Sequence, residues 1–384
     1  MKLILKLLLG IIAGIVIGLI NFTFITQLFV TLKDIFGQFI GFIIPFIIFF
    51  FIASGIAKLG QHSGKIVGLT VGTAYLSTFL AGILAFLVAI SVIPLLNATE
   101  STIPEEASIG GFFSLEIAPL MGVITALVMA FLFGIGIAKT NSSTLQKVVD
   151  EGKNIIELAI KKIIIPLLPF YIGGIFVQLA AEGTVFETLK VFAVVLVVVI
   201  MTHWVWLLVQ YVTAGSITKR NPFSLLKTML PAYFTALGTM SSAATIPVTL
   251  KQVKENDVDD DVANFGVPLC ATIHLSGSVI TIVSCAVAVI VVLNGSAVPS
   301  FIEMLPVIAM LGIIMIAAPG VPGGAIMAAL GVLTSMLGFN EVAIGLMIAL
   351  YMAQDSFGTA TNVTGDGAIN LIINRFVKNK NAVD

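Results

Sequence analysis

Residues 355–366 read Asp-Ser-Phe-Gly-Thr-Ala-Thr-Asn-Val-Thr-Gly-Asp, a polar stretch set inside an otherwise apolar run from about 341 to 374. Asp355 and Asp366 stand about three helical turns apart and so share a face. Thr359 and Asn362 continue that face, and no Lys or Arg lies in it to neutralise the acids. A helix this long and apolar is read as a membrane span. A carboxylate at membrane depth costs at least about 2.5–3.5 kcal/mol, so each acid must face protein, water or a bound cation, or be held neutral. Intramembrane ionisable residues are functional by default.

The rest of the chain agrees with a lipid environment. Of 384 residues, 58% are hydrophobic and only 10% charged, against roughly a quarter charged in soluble domains. Mean hydropathy is +1.13. A single soluble core stops growing at about 250–300 residues, so so much apolar surface has no aqueous solution. The formal charge of −1 supplies no basic field for nucleic acid. Cys270 and Cys285 lie in apolar sequence, as neither a disulfide framework nor a metal-ligand spacing, and read as small buried hydrophobes.

Eight stretches qualify as spans, about 4–22, 34–59, 66–96, 113–138, 155–181, 187–214, 262–294 and 341–374. Two further apolar stretches, 222–252 and 300–338, are interrupted midway by Gly238–Pro247 and by Ala317–Gly324. Two half-helices meeting at a broken tip account for each, since irregular backbone is tolerated at membrane depth only when buried or lining a cavity. Paired interruptions are the best sequence pointer to a transporter's binding site. The echo of Phe42–Ile47 in Ile163–Leu168 hints at duplication, but Pro is common in membrane helices. Lys2 and Lys6 before an apolar run resemble a signal peptide; no small-residue cleavage site follows, and the run is read as a retained first helix. With both termini cytoplasmic, all of the 19 Lys and Arg except Lys33 and Lys190 fall on the cytoplasmic side, while Glu100, Glu105 and Glu106 fall in the longest external loop. That is a positive-inside distribution.

A second polar cluster, Thr272-Ile273-His274-Leu275-Ser276-Gly277-Ser278, suits a local unwinding that frees backbone carbonyls for a cation. Two readings stay open for His274: a neutral imidazole hydrogen-bonded inside the bundle, or a proton-coupling group. His203, with Trp204 and Trp206 beside it, reads as a packing or interface residue rather than a ligand. No nucleophile–base pair, phosphate loop or metal-hydrolase motif is present, so the chain reads as no enzyme.

These blocks together resemble the dicarboxylate/amino acid:cation symporters, the family of the glutamate transporters and their prokaryotic homologues. The 355–366 stretch is similar to the family signature, Ser241–Thr249 to its serine-rich first hairpin tip, and Gly320–Met327 to the second tip, one residue shorter than usual. The resemblance implies an all-α integral membrane fold with eight transmembrane helices, two re-entrant hairpins and inverted repeats, assembled as a homotrimer in the plasma membrane. Residues 1–65 and 113–181 would form a scaffold, and 66–96 with 187–375 a transport domain moving as an elevator. Asp355 matches the aspartate that holds a substrate ammonium. Asn362, Ser241 and Ser242 match α-carboxylate contacts, and Thr359 and Ser278 polar contacts. Gly320, Val321 and Gly324 of the second tip would also meet the substrate. Asp366 matches a sodium-ligating carboxylate, with carbonyls matching Cys270, His274 and Asn362. A second sodium site would use Thr272 and carbonyls from Met315 to Ala318.

The departures bear on the substrate. Acidic-amino-acid transporters carry an arginine where this chain has Gly358, and the first tip, where prokaryotic members can place one, has Met240. A second substrate carboxylate would then be buried unpaired. A small neutral amino acid such as serine, threonine or alanine fits better; Gly358 is expected to leave room, so cystine or a branched residue stays open. His274 and Ser276 replace the usual Asn and Asp, which puts the deepest sodium site, with Tyr75 and Thr78 as its loosely aligned partners, in doubt. One or two sodium ions are expected, with protons through His274 as the rival. A channel or a non-transporting sensor on the same scaffold is the other alternative.

Overall fold

The computed structural model describes residues 2–61, 65–93, 110–113, 115–294 and 298–381, which are helical almost throughout, without strands. In chain order the helices are α1 (Lys2–Ile20), α2 (Thr23–Gln61), α3 (Lys65–Val92), α4 (Val123–Thr140), α5 (Ser143–Ala159), a π turn (Ile160–Ile164), α6 (Ile165–Ala181), α7 (Val185–Thr218), α8 (Pro222–Thr239), α9 (Ser242–Glu255), α10 (Asp260–Ile273), α11 (Ser276–Asn294), α12 (Phe301–Met315), α13 (Gly324–Leu337) and α14 (Glu341–Asn381). Eight helical stretches among the described residues are long and apolar enough to cross a membrane, the number expected. The two interrupted segments are helix pairs, α8 with α9 and α12 with α13. Residues 94–96, predicted to end the third span, and Glu100, Glu105 and Glu106 lie outside the described residues.

Two boundaries differ from the sequence reading. The fourth helix starts at Val123 rather than 113. Pro119 has no N–H for a helix interior, and the preceding backbone is held by α2 instead: the Phe112 N–H donates to Thr31 Oγ1 at 2.8 Å and the Ile117 N–H to Gln38 Oε1 at 3.3 Å. The fifth span starts at Ser143, capped by the Ser142 hydroxyl, rather than at 155. Its first turns are amphipathic, burying Val149, Gly152 and Ile156 under a charged outer face, so an apolar window misses them. The π turn lies just before Pro166, where Ile165 N–H reaches back to the Ile160 carbonyl; a proline's missing donor and ring clash are common causes of such adjustments.

The helices divide into outer and inner ones. Only 17% of the span in α1 is buried, and its Leu5, Leu9, Ile12 and Ile20 are exposed, while the spans in α10–α11 and α14 are 94% and 83% buried. α1 lies on α6, and α2 on α4, α5 and α6; α3, α7 and α8 gather around α11 and α14. Close approach of α1 to α6 depends on Gly10, Gly14 and Gly18, which face the carbonyls of Pro169, Gly173 and Val177 with no space for a Cβ. Small residues at such spacing let backbones meet in lipid. Gly14→Ala is therefore expected to destabilise the protein by about 1–3 kcal/mol, whereas Gly72→Ala, with nothing nearby, leaves stability unchanged or slightly raised. Thermal denaturation of the detergent-solubilised variants checks this; equal midpoints would contradict the α1–α6 packing.

Candidate functional site

The polar cluster at 272–278 breaks the seventh span. α10 ends at Ile273, His274 takes an extended conformation, and α11 begins at Ser276. A fresh helix start leaves N–H groups without partners, and here Asn362 of α14 supplies the acceptor: its Oδ1 receives the N–H of Gly277 at 2.7 Å and of Ser278 at 3.2 Å. The Asn362 amide donates to Ser278 Oγ at 2.9 Å, and Tyr351 OH donates to the same oxygen at 3.2 Å. One amide hydrogen of Asn362 is left for another acceptor.

Two tips close over this break. In the first, Met240 adopts a left-handed conformation (φ 53°) after α8, and Ser241 caps α9 by accepting the Ala244 N–H. In the second, Gly323 takes φ 73°, a conformation that favours glycine, immediately before α13. The tips touch each other, with Ser241 Oγ donating to the Gly320 carbonyl at 3.2 Å. Gly323 N–H donates to Asp355 Oδ2 at 2.8 Å, and Tyr351 OH and, at 3.5 Å, Thr359 Oγ1 approach the same carboxylate. Asp355 is only 4% exposed. Its charge is thus met by dipoles alone.

Ser241, Ser242, Ser278, Gly320, Val321, Asp355, Thr359 and Asn362 line one small cavity of ≈ 30 Å³, together with Met240, Ala271, Thr272, Leu275, Ala318, Pro319, Ala325 and Tyr351. None of these is Lys, Arg or His. Its volume is about that of one water, so anything larger fits only if a tip moves. Two expected residues do not line it. Gly324 shapes the second tip, its N–H donating to the Val321 carbonyl at 2.8 Å. Gly358 faces α11, where a Cβ would come within 3.3 Å of Thr281 Oγ1. The space expected from Gly358 is therefore a helix contact, and the tips and Tyr351 bound the cavity instead. Tyr351 was not singled out by sequence, because an aromatic residue among apolar neighbours looks like core.

Asp366 lies apart from this cavity, 1% exposed. His274 meets it through its side chain as well as lying at the break: Nδ1 is 2.8 Å from Asp366 Oδ1, and Nε2 is 2.9 Å from Ser77 Oγ on α3. Asp366 Oδ2 is buried without a partner, an anionic oxygen suited to a cation. The Cys270 carbonyl, one turn back, accepts the His274 N–H at 2.8 Å. Thr272 and Ala318 line this small cavity and also a second cavity of ≈ 500 Å³ between α2, α5 and α10. Met315 is buried at the end of α12 and lines neither. In the third helix Ser77 is the residue that reaches His274, while Tyr75 stacks on Phe79 and donates to the Ala309 carbonyl at 3.4 Å, and the Thr78 hydroxyl has no partner.

Comparison with known proteins gives the same outline. Residues 3–376 match the sodium:dicarboxylate symporter family. Excitatory amino acid transporter 2 of Rattus norvegicus is 28% identical over 289 residues, 72% of this chain and 48% of that protein. Excitatory amino acid transporter 1 of Bos taurus is 30% identical over 276 residues, 71% of this chain and 49% of the relative. The chain spans about half the length of the curated relatives it matches. With a family match that runs over nearly the whole chain, this protein belongs to the sodium:dicarboxylate symporter family.

Proposed function

We propose that the protein is a secondary active symporter of the plasma membrane that imports a small neutral amino acid, coupled to sodium. The observation that carries this reading is Asp355, a buried carboxylate under two hairpin tips in a cavity without a cationic side chain. A substrate ammonium replaces the Gly323 N–H at Asp355, and the substrate carboxylate turns to the N-terminus of α9 at Ser241 and Ser242, where unpaired N–H groups and the helix dipole favour an anion. A second carboxylate on the substrate would meet Met240, Leu275 and Val321, and burying it unpaired costs several kcal/mol. Serine, threonine and alanine carry no such group.

The contacts support a division of labour. α1, α2, α4, α5 and α6 pack mainly on one another and form the scaffold (1–65 and 113–181); α3 and α7–α14 (66–96 and 187–375) gather around α11 and α14 and carry the site. In this reading the two hairpins are re-entrant, the second tip is the gate, and the carrier part moves against the scaffold as an elevator, within a homotrimer whose termini are cytoplasmic. Sodium is held at Asp366, whose Oδ2 has no protein partner, and a second ion near Thr272 and Ala318.

Uptake of radiolabelled L-serine into proteoliposomes under an inward sodium gradient at equal pH tests the whole reading. Saturable uptake, blocked by unlabelled L-serine and not by L-aspartate, is expected. Uptake that ignores sodium and follows a proton gradient would overturn the coupling ion, and non-saturable flux would indicate a channel. Asp355→Asn removes the charge that the ammonium meets. It is expected to weaken L-serine binding at least about a hundredfold while the protein elutes as the wild type on size exclusion. Near-native affinity in that variant would show that the substrate binds elsewhere or is not an amino acid.

A further inference from the structure

Gln210 on α7, Ser77 on α3, His274 at the α10–α11 break and Asp366 on α14 form one row of buried polar groups, outside the substrate cavity. Gln210 Nε2 lies 2.9 Å from Ser77 Oγ and 3.3 Å from His274 Nε2, Ser77 Oγ lies 2.9 Å from His274 Nε2, and His274 Nδ1 lies 2.8 Å from Asp366 Oδ1. The chemistry of the groups fixes the direction. An amide nitrogen only donates, so Ser77 Oγ accepts from Gln210. The one hydroxyl hydrogen then goes to His274 Nε2, which makes Nε2 the acceptor and leaves the ring proton on Nδ1, aimed at Asp366. The histidine tautomer thus follows from its network of partners. Every donor in the row points toward the carboxylate, and aligned hydrogen bonds strengthen one another.

The row has a consequence for the other carboxylate oxygen. Oδ1 is held by the imidazole, the ring is held by Ser77, and Gly365, with no room for a Cβ beside Gln210 and His274, lets both side chains lie against α14. Oδ2 is left buried and unpartnered in a fixed place. We infer that Gln210, Ser77 and His274 are a positioning relay that aims Asp366 Oδ2 at the coupling cation, so that Ser77 and Gln210, neither of them in the substrate cavity, set the affinity for sodium. The inference rests on the sodium reading proposed above. Groups that orient a metal ligand from behind change metal affinity about 10- to 100-fold when lost.

The test is the thermal midpoint of the purified full chain against sodium chloride, with choline chloride holding ionic strength constant and no amino acid present. Wild type is expected to be stabilised by sodium. Ser77→Ala is expected to raise the half-saturating sodium concentration about tenfold, and Gln210→Met, which removes the amide contact to both Ser77 and the ring, to raise it as well. Ser77→Thr, which keeps the hydroxyl, is expected to restore the wild-type value. At saturating sodium, L-serine affinity in Ser77→Ala is expected to equal that of wild type, a split that a general loosening of the fold would not produce. If Ser77→Ala does not elute as the folded protein, Gln210→Met carries the test. A sodium response in wild type that is unchanged in these variants overturns the relay alone. A wild type that does not respond to sodium overturns the relay and the coupling-ion reading together.

Discussion

Asp355 puts a carboxylate in the middle of a chain built to live in hydrocarbon, and no basic side chain lines the cavity it faces. A lone buried charge is not stable there, so its surroundings are arranged to meet it with dipoles. The second tip turns through Gly323 so that its N–H points at Oδ2, Tyr351 and Thr359 approach from the same helix, and the first tip is tied to the second through Ser241 and Gly320. The closed tips and the charge are therefore one arrangement. In the proposed reading a substrate ammonium takes the place of the Gly323 N–H, which requires the tip to lift.

The same logic explains why α11 and α14 form the centre. A helix break inside a membrane protein exposes backbone N–H groups that lipid cannot satisfy. Asn362 satisfies two of them from the neighbouring helix, and the crossing is close because Gly277 meets the Gly358 carbonyl with no room for a Cβ. The tightness lies at Gly277, whereas a Cβ at 358 would meet only the Thr281 hydroxyl closely. One turn of α14 further on, the His274 side chain returns from the break to Asp366. The break thus joins the two carboxylates, one under the tips and one behind them.

Much of this was legible in the sequence because the signals are compositional or periodic. Span number, the two interruptions and the polar cluster at 272–278 follow from where apolar runs stop, and the structure breaks its helices at Met240–Ser241, at 316–323 and at His274–Leu275. The start of α5 was hidden because its charged face lowers the hydropathy of an amphipathic helix, and the start of α4 was placed too early because the Phe112 and Ile117 N–H groups are bonded to Thr31 and Gln38 of α2 rather than to a helix of their own. Side-chain direction was the harder quantity. Gly358 sits on the polar stripe by sequence but faces α11, and Ser77 and Gln210 join His274 from helices whose sequences carry no mark of it. Such contacts depend on helix rotation and crossing, which a one-dimensional pattern does not fix.

The central claim is that Asp355 exchanges a backbone N–H for the ammonium of its substrate. Its most direct test is calorimetric titration of the wild-type protein, in high sodium, with L-serine and with L-glycerate, which carries a hydroxyl in place of the ammonium. The account predicts that L-serine binds and that L-glycerate binds at least about a hundredfold more weakly, because the buried carboxylate gains no counter-charge. Equal affinity for the two would contradict it.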